Sequence, residues 1–197
     1  MSLMEDNFAN MLTSLSEFEN VEDAEVGPDG TFEAVLIPLR ELVLFPFMVT
    51  PLFVGRERSH EAIRIARQDN RTVICSTQMD VTIEEPVPHD IYGTGVEAAI
   101  GRVIRMPDSS TTVLVQGRRR VEIVEYLQTE PYFIVRARPI DEDYVASNEV
   151  EAQMRAVVDL FEQCARLSRT IPEDAYVYAL NIDDPGWLAD FVATTLD

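Results

Sequence analysis

The side chains that most often perform catalysis are few in this sequence and lie far apart. Its 197 residues include two histidines, His60 and His89, and two cysteines, Cys75 and Cys164. None of the four has a neighbour at the spacing of a zinc site or a disulfide framework. Ser59 precedes His60, but adjacent residues on a helix point in different directions, so a serine–histidine pair is not expected. We therefore predict no catalytic residue and no metal site.

The absence of lysine excludes three further kinds of chemistry. All 16 basic residues of the sequence are arginine. A Walker A loop, a Ser-Lys dyad and a Schiff base each require a lysine. Gly93-Thr94-Gly95 resembles the start of a dinucleotide loop, but Ala98 stands in the place of the third glycine and a strand follows. We expect no cofactor in this segment.

The charge balance is strongly acidic, with 35 acidic residues and a formal net charge of −19. Nucleic-acid affinity rests on neutralising phosphates, so we expect no nucleic acid, although Arg118-Arg119-Arg120 forms one basic cluster. The acidic runs at 84–85 and 141–143 are interpreted as solvated loops and linkers. Since no apolar run approaches the roughly 20 residues of a membrane span, we expect no membrane association. Two widely spaced cysteines and no leader sequence favour the cytoplasm.

The first 32 residues are predicted to form a separate acidic tail. Met1-Ser2-Leu3 ahead of Met4 is typical of a cloning scar. Phe8, Met11, Leu12 and Leu15 have helical spacing and would suit a short amphipathic helix. A disordered stretch is expected to follow, through the Gly-Pro-Asp-Gly sequence at 27–30.

Residues 33–142 are predicted to form a β domain with one helix inside it. Pro51 interrupts one strand and indicates an edge or a bulge, because proline cannot donate a ladder hydrogen bond. Ser59 is expected to cap the helix, which runs to about Gln68. The sequence Pro-Asp-Ser-Ser at 107–110 is typical of a hairpin loop. The predicted strands are 34–39, 49–54, 71–77, 96–106, 111–116, 121–127 and 132–139. Strands with a single inserted helix favour a closed or partly closed barrel over a doubly wound sheet.

In residues 146–197 the spacing of apolar residues changes to that of α-helices. Apolar residues from Val150 to Ala165 follow the 3.6-residue repeat over about four turns. Pro172 is expected to open a second helix, and Asp184 to cap a third. Three helices with so little to pack against are interpreted as the truncated beginning of a helical bundle.

Several motifs occur in a fixed order along the chain. They are Ile37-Pro38-Leu39-Arg40-Glu41-Leu42-Val43-Leu44-Phe45-Pro46, Pro51-Leu52-Phe53-Val54-Gly55-Arg56, Tyr92-Gly93-Thr94-Gly95, Val113-Leu114-Val115-Gln116-Gly117 with Arg119-Arg120-Val121, and Leu188-Ala189-Asp190. In this order they resemble the N-terminal, substrate-binding domain of Lon-type ATP-dependent proteases, over about residues 34–197. Arg58 and Trp187 depart from the family's common residues, but neither lies in a catalytic motif.

The resemblance implies an α+β fold: a small PUA-like β pseudo-barrel with one inserted helix, then a C-terminal helical lobe. It also implies a longer parent, an ATP-dependent serine endopeptidase whose AAA+ and Ser-Lys modules would bind ATP and Mg. The segment itself would bind unfolded or damaged polypeptides and support assembly with the other modules and subunits of that parent. A free-standing Lon-domain adaptor and an RNA-binding PUA-like module are the alternatives.

A surface that binds unfolded chains needs exposed apolar side chains or open strand edges. Residues 43–48 contain five large apolar residues around Pro46. We predict Phe45, Phe47 and Met48 as substrate-binding residues, with Phe47 and Met48 accessible just after the turn. Methionine is a soft, adaptable contact of the kind that promiscuous surfaces use.

Overall fold

The computed structural model describes residue 18 and residues 20–105, 111–141, 144–172 and 174–196. The chain divides into two units, Met1–Ile140 and Asp141–Asp197. Within the described residues the first unit contains six strands and one α-helix. These are β1 (Phe32–Leu39), β2 (Val49–Val54), α1 (Glu57–Gln68), β3 (Val73–Thr77), β4 (Thr94–Arg105), β5 (Thr111–Gln128) and β6 (Phe133–Pro139), with a 3-10 turn at Pro88–Asp90.

The six strands form one mixed sheet in the order β2-β5-β4-β3-β1-β6, and β5 also pairs with β6. The pairings of β5, β4, β3, β1 and β6 therefore form a closed circuit, and among the described strands β2 pairs only with β5. β1 and β3 are parallel, and the other pairs are antiparallel. The prediction of a mixed α+β fold is confirmed, as is the edge position of the strand that contains Pro51.

The core of the first unit follows from side-chain alternation on the strands and from one face of α1. Ala62, Ile63 and Ala66 are buried on this face and join a cluster with residues of β2 and β5, including Leu52 and Val113. Leu, Ile and Val at alternate positions bury one side of a strand, while spacings of three and four bury one side of a helix. One helix and the sheet therefore share a single apolar cluster.

Two predictions about the strands and the helix of this unit are wrong. Residues 111–116 and 121–127 form one long strand, β5, whose first part pairs with β2 and whose last part pairs with β6. The register of β5 shifts against both β4 and β6, and irregularities of this kind bend a strand locally. Ser59 does not cap α1: the N-cap is Arg56, and Ser59 is buried inside the first turn. The hairpin loop predicted at 107–110 lies outside the described residues.

The described part of the acidic segment packs against the sheet. Phe18 is 1% exposed, and a Cβ atom on Gly101 would lie 2.7 Å from its ring, so this glycine makes room for the aromatic side chain. The Gly27–Gly30 stretch, expected to be disordered, is a hydrogen-bonded turn in which Gly27 N donates to Thr31 O at 2.7 Å. That expectation is therefore wrong. The helix predicted around Phe8 and Leu15 lies outside the described residues.

The second unit contains three helices in its described part: α2 (Asn148–Leu167), α3 (Ala175–Ala179) and α4 (Pro185–Thr195). Asp184 caps α4 as predicted, since its Oδ1 accepts from Trp187 N at 2.7 Å. Pro172 does not open a helix; its carbonyl instead accepts from Ala175 N, where α3 begins. The three helices bury a common core of Val158, Phe161, Ile171, Ala175, Ala179, Ile182 and Leu188. None of the described helices is both long and apolar enough to cross a membrane.

Candidate functional site

The turn between β1 and β2 lies directly on the backbone of β5. Phe47 N donates to Gly117 O at 3.0 Å, and Gly117 N donates to Met48 O at 2.9 Å. A Cβ atom on Gly117 would lie 2.2 Å from the carbonyl oxygen of Phe45, a distance that atoms cannot adopt. Glycine at position 117 is therefore what allows the turn to approach β5 this closely, and two hydrogen bonds hold it there.

The three residues predicted to bind substrate occupy different environments in this turn. Phe45 is half-buried, with the Arg120 guanidinium 5.8 Å from its ring centroid. Met48 is also half-buried and packs against the main core cluster of the first unit. Phe47 is 62% exposed. The expected exposure of Phe47 is confirmed, while Met48 is only partly accessible; a binding role for all three stays a prediction.

The backbone of Phe47 has φ 63°, in the left-handed region. Residues with a Cβ atom enter this region at an energetic cost, and for bulky residues it is a genuine outlier. The exposed ring recovers little of that cost by burial. Outliers of this kind cluster at binding and catalytic sites, so the combination of positive φ and exposure marks Phe47 as a candidate functional residue.

Apolar exposure continues along one side of β2. Phe53 is 83% exposed and Val49 is 38% exposed, whereas Leu52 and Val54 are buried. Val43, in the connection between β1 and β2, is 54% exposed. Neither Val43, Val49 nor Phe53 was among the predicted site residues. We call Val43, Phe47, Val49 and Phe53 the apolar surface.

A groove of about 650 Å³ lies beside β2 and is lined by parts of β1, β2 and the segments that follow each of them. Arg56 closes one side of it: its guanidinium donates to Gln78 Oε1 at 2.6 Å and to the Glu84 carbonyl at 2.7 Å. Desolvation lowers the pKa of Arg56. Glu84 and Glu85, interpreted from the sequence as a plain solvated loop, line this groove and remain exposed. The groove therefore combines an apolar floor with charges at its margin.

The residues considered for catalysis are not brought together. Cys75 is buried, which raises its pKa to about 12 and keeps the thiol protonated and unreactive. Ser59 is buried within α1, and the His89 side chain is 84% exposed. In the described parts of the chain, no three His, Cys, Asp or Glu side chains are grouped as metal ligands.

One buried charge lies elsewhere in the sheet, on β4. Glu97 is fully buried, and its Oε2 accepts from Arg119 Nε at 2.6 Å. Its other carboxylate oxygen accepts from Thr72 Oγ1 at 2.5 Å and from Ala24 N at 2.7 Å. Arg119 also donates to the Ala24 carbonyl. This network fastens the N-terminal segment to the sheet, and since both carboxylate oxygens of Glu97 have partners within the chain, its role is structural.

The basic cluster at 118–120 is engaged within the protein. Arg118 donates to the Phe18 carbonyl at 2.8 Å and lies 3.6 Å from the Asp23 carboxylate. Arg119 pairs with Glu97, and Arg120 lies over the ring of Phe45. The cluster thus serves to hold the segment around Phe18 and the turn around Phe45.

Comparison with known proteins places the chain in a family. The profile of the ATP-dependent protease La (LON) substrate-binding domain matches residues 33–197. Lon protease 2 of Herpetosiphon aurantiacus is 46% identical over 172 residues, which cover 87% of this chain and 21% of that protein. Lon protease of Heliobacterium modesticaldum is 41% identical over 164 residues, covering 83% of this chain and 20% of that protein. The chain belongs to the Lon substrate-binding domain family.

A solved structure supports the fold. The N-terminal domain of the Mycobacterium avium complex Lon protease superimposes with a TM-score of 0.65 at 20% identity, and the match covers 80% of each chain. The family match and the relatives, together with this shared fold, confirm the predicted resemblance to the Lon N-terminal domain. The chain spans about a fifth of the length of the curated relatives it matches.

Proposed function

We propose that this chain binds unfolded or damaged polypeptides through the apolar surface and the groove beside β2. It would act as the N-terminal segment of an ATP-dependent Lon-type serine protease. The name of the family, a substrate-binding domain, supports the general role. The location of the binding surface is our inference from exposure and backbone geometry.

The observation that carries the proposal is Phe47. The Phe47 ring is 62% exposed at φ 63°, a backbone conformation that glycine or asparagine would adopt more easily. Burying a phenylalanine side chain against a partner is worth roughly 1.5–3 kcal/mol. The exposed part of the Phe47 ring is therefore apolar area that a bound chain could cover.

The edge of β2 supports the same location. An open strand edge can pair with an extended peptide through backbone hydrogen bonds, which are independent of the peptide's sequence. Pro51 lies within this strand and limits how continuous such a ladder can become, because it has no N–H group. Weak binding without sequence preference is what a protease must use to select unfolded chains.

The remaining activity belongs, in this proposal, to other parts of a longer protein. The absence of lysine leaves this segment without a P-loop lysine or a Ser-Lys dyad, so we assign ATP, Mg and peptide hydrolysis to the modules that Lon proteases carry. We further propose that the closed circuit of strands is a pseudo-barrel of the PUA-like class. The free thiols Cys75 and Cys164 suit a cytoplasmic protein that assembles with the other modules and subunits of its parent.

The experiment measures fluorescence anisotropy of a labelled, reduced and carbamidomethylated protein that cannot fold. Phe47→Gly combined with Phe53→Ser should raise the dissociation constant about a hundredfold, because each truncation removes apolar burial worth roughly 1.5 kcal/mol at the lower end of the range. Met48 is left unchanged, since it contributes to the core.

Tyr178→Ser is the matched control, because Tyr178 is an aromatic residue of comparable exposure, 55%, in the second unit. Its affinity should equal that of the wild type. Equal affinities for all three proteins at equal thermal stability would refute the proposed surface. An equal loss in the control would show that aromatic exposure alone, and not this site, governs binding.

A further inference from the structure

One cavity of the first unit is lined by arginines and, among the residues that the structure describes, by no carboxylate. Its volume is about 340 Å³, and its polar lining consists of Asn20, Arg67, Asn70, Arg71 and Arg102. The chain as a whole has 35 acidic and 16 basic residues. A cavity with three arginines and no acidic residue is therefore the reverse of what this composition favours. We call it the arginine pocket.

The cavity next to it has the opposite composition. That acidic cavity has a volume of about 790 Å³, and its lining includes five carboxylates, from Glu22, Asp23, Glu25, Glu33 and Asp69. Asp69 lies between Arg67 and Arg71 in the sequence but lines the acidic cavity and not the arginine pocket, while Arg71 lines both. The fold thus places the charges of one short segment at different cavities instead of pairing them.

The end of α1 explains how two arginines reach the same pocket. Asn70 follows the helix with φ 53°, in the left-handed region that asparagine tolerates. Its side-chain Nδ2 donates to the Asn20 carbonyl at 2.6 Å, and Arg71 N donates to the Ala66 carbonyl at 2.9 Å. This turn brings Arg67, before it, and Arg71, after it, to one cavity, and the hydrogen bonds fix the backbone that carries both.

Nothing in the described parts of the chain neutralises these two guanidinium groups. Neither Arg67 nor Arg71 forms an ion pair with a described residue, although Arg64, one turn earlier on α1, pairs with Glu61. Arg67 lies in the last turn of α1, where the helix dipole stabilises a positive charge. That effect accounts for Arg67 and leaves Arg71 unexplained. Two like charges at one cavity repel each other, so an anion between them would lower the free energy of the folded state.

We propose that the arginine pocket binds the diphosphate group of a small molecule. A guanidinium group presents its N–H donors as a planar fork that matches two oxygens of a phosphoryl group, so two arginines suit two adjacent phosphoryl groups. The volume of the pocket corresponds to about eleven water molecules at about 30 Å³ each, which a single phosphate would leave mostly unfilled.

The surroundings of the pocket favour a small anion over a nucleic acid. Charges are screened over about 8 Å at physiological ionic strength, so the arginines of the wall act on a bound anion more strongly than carboxylates farther away. A nucleic-acid backbone would need basic residues beyond the pocket, where the acidic cavity lies instead.

This site is separate from the surface proposed to bind unfolded polypeptides. The arginine pocket shares no lining residue with the groove beside β2 or with the apolar surface. Diphosphate binding therefore does not depend on the proposed function, and either can fail without the other.

The test titrates the full chain with sodium pyrophosphate at constant ionic strength and follows the backbone amides by nitrogen-15 NMR. We expect saturable shifts at Arg67, Asn70, Arg71, Gly101 and Arg102, with a dissociation constant below about 1 mM. Arg67→Gln combined with Arg71→Gln should raise this constant by at least about tenfold, because the charge-assisted hydrogen bonds to both phosphoryl groups are lost.

Arg40→Gln combined with Arg169→Gln is the matched control. Both arginines are exposed, and the net charge changes by the same amount. This control should bind pyrophosphate like the wild type, and both double variants should keep dispersed spectra because only exposed side chains change. A wild type without saturable shifts at these amides up to about 10 mM overturns the proposal. An equal loss in the control also overturns it, since a general effect of charge would then explain the binding.

Three further ligands define the group that is recognised. Uridine diphosphate with the affinity of pyrophosphate would show that the diphosphate alone is bound, a tighter complex would show that the nucleoside contributes, and a failure to bind would overturn the proposal. Orthophosphate should bind at least about tenfold more weakly, and equal affinity would contradict a diphosphate site. A short single-stranded DNA that shifts the same amides at lower concentration than pyrophosphate would make a nucleic-acid backbone the ligand and overturn the proposal.

Discussion

The first unit buries one charged side chain and exposes aromatic rings, and these two regions differ in how far the fold explains them. Glu97 is fully buried, but three donors from Ala24, Thr72 and Arg119 satisfy its carboxylate. Phe47 and Phe53 are 62% and 83% exposed, and Phe47 also has a left-handed backbone. A buried charge with a full set of partners is explained by the fold itself. The fold does not explain exposed aromatic rings in the same way. We therefore infer a binding function from the region of Phe47 and Phe53, and a structural role from the region of Glu97.

Removing the buried charge should have the largest effect on stability. Glu97→Ala should lower the free energy of unfolding by about 3 kcal/mol, at the lower end of the range for breaking a buried ion pair, because Arg119 keeps 33% of its side chain exposed. Urea denaturation followed by circular dichroism measures this. Glu122→Ala, which breaks the exposed pair with Arg138, is the control and should leave the midpoint unchanged. Equal midpoints for both variants would contradict a structural role for Glu97.

A substitution at Gly117, which supports the turn between β1 and β2, should have the next largest effect on stability. Gly117→Ala places a methyl group 2.2 Å from the Phe45 carbonyl, so the turn must move away from β5. We expect a loss of about 1–3 kcal/mol, as for other overpacked sites, measured by thermal unfolding. Gly93→Ala is the control, since a Cβ atom there meets nothing within 4 Å. Two variants of equal stability would show that the turn does not require close contact with β5.

The exposed ring itself should matter least for folding. Phe47→Asn should be at least as stable as the wild type, because asparagine tolerates φ 63°, whereas Phe47→Val should lose about 1 kcal/mol through backbone strain. Thermal melts of the three proteins decide between these outcomes. A large loss in Phe47→Asn would mean that the ring contributes to the fold, and the contrast between the two regions would disappear.

The pattern of side chains along the sequence predicted the strands and helices of this protein better than it predicted which residues lie next to one another in the fold. Pro51 indicated an edge strand because a missing N–H group has a direct structural consequence, and Asp184 marked a helix start for a similar local reason. Glu97 could not be recognised as buried, since its partners lie 22, 25 and 73 residues away in sequence. Long-range pairing of this kind leaves no periodic signal.

Only part of the candidate site was predicted, because a turn also lacks a periodic signal. Phe45, Phe47 and Met48 lie in a turn, where no period separates buried from exposed residues, so their different environments could not be assigned. Phe53 was missed because Leu52 and Val54 beside it are also apolar. A strand without polar alternation does not reveal which side faces solvent.

The most direct test of the account locates the bound polypeptide on the protein. Nitrogen-15 NMR spectra recorded during titration with an unfolded, carbamidomethylated protein report which backbone amides change. We predict perturbations concentrated in residues 43–54, with the amides of Ala24, Glu97 and Arg119 unaffected. Perturbations that spare residues 43–54 and fall on another part of the first unit would contradict the claim that its exposed aromatic residues form the binding surface.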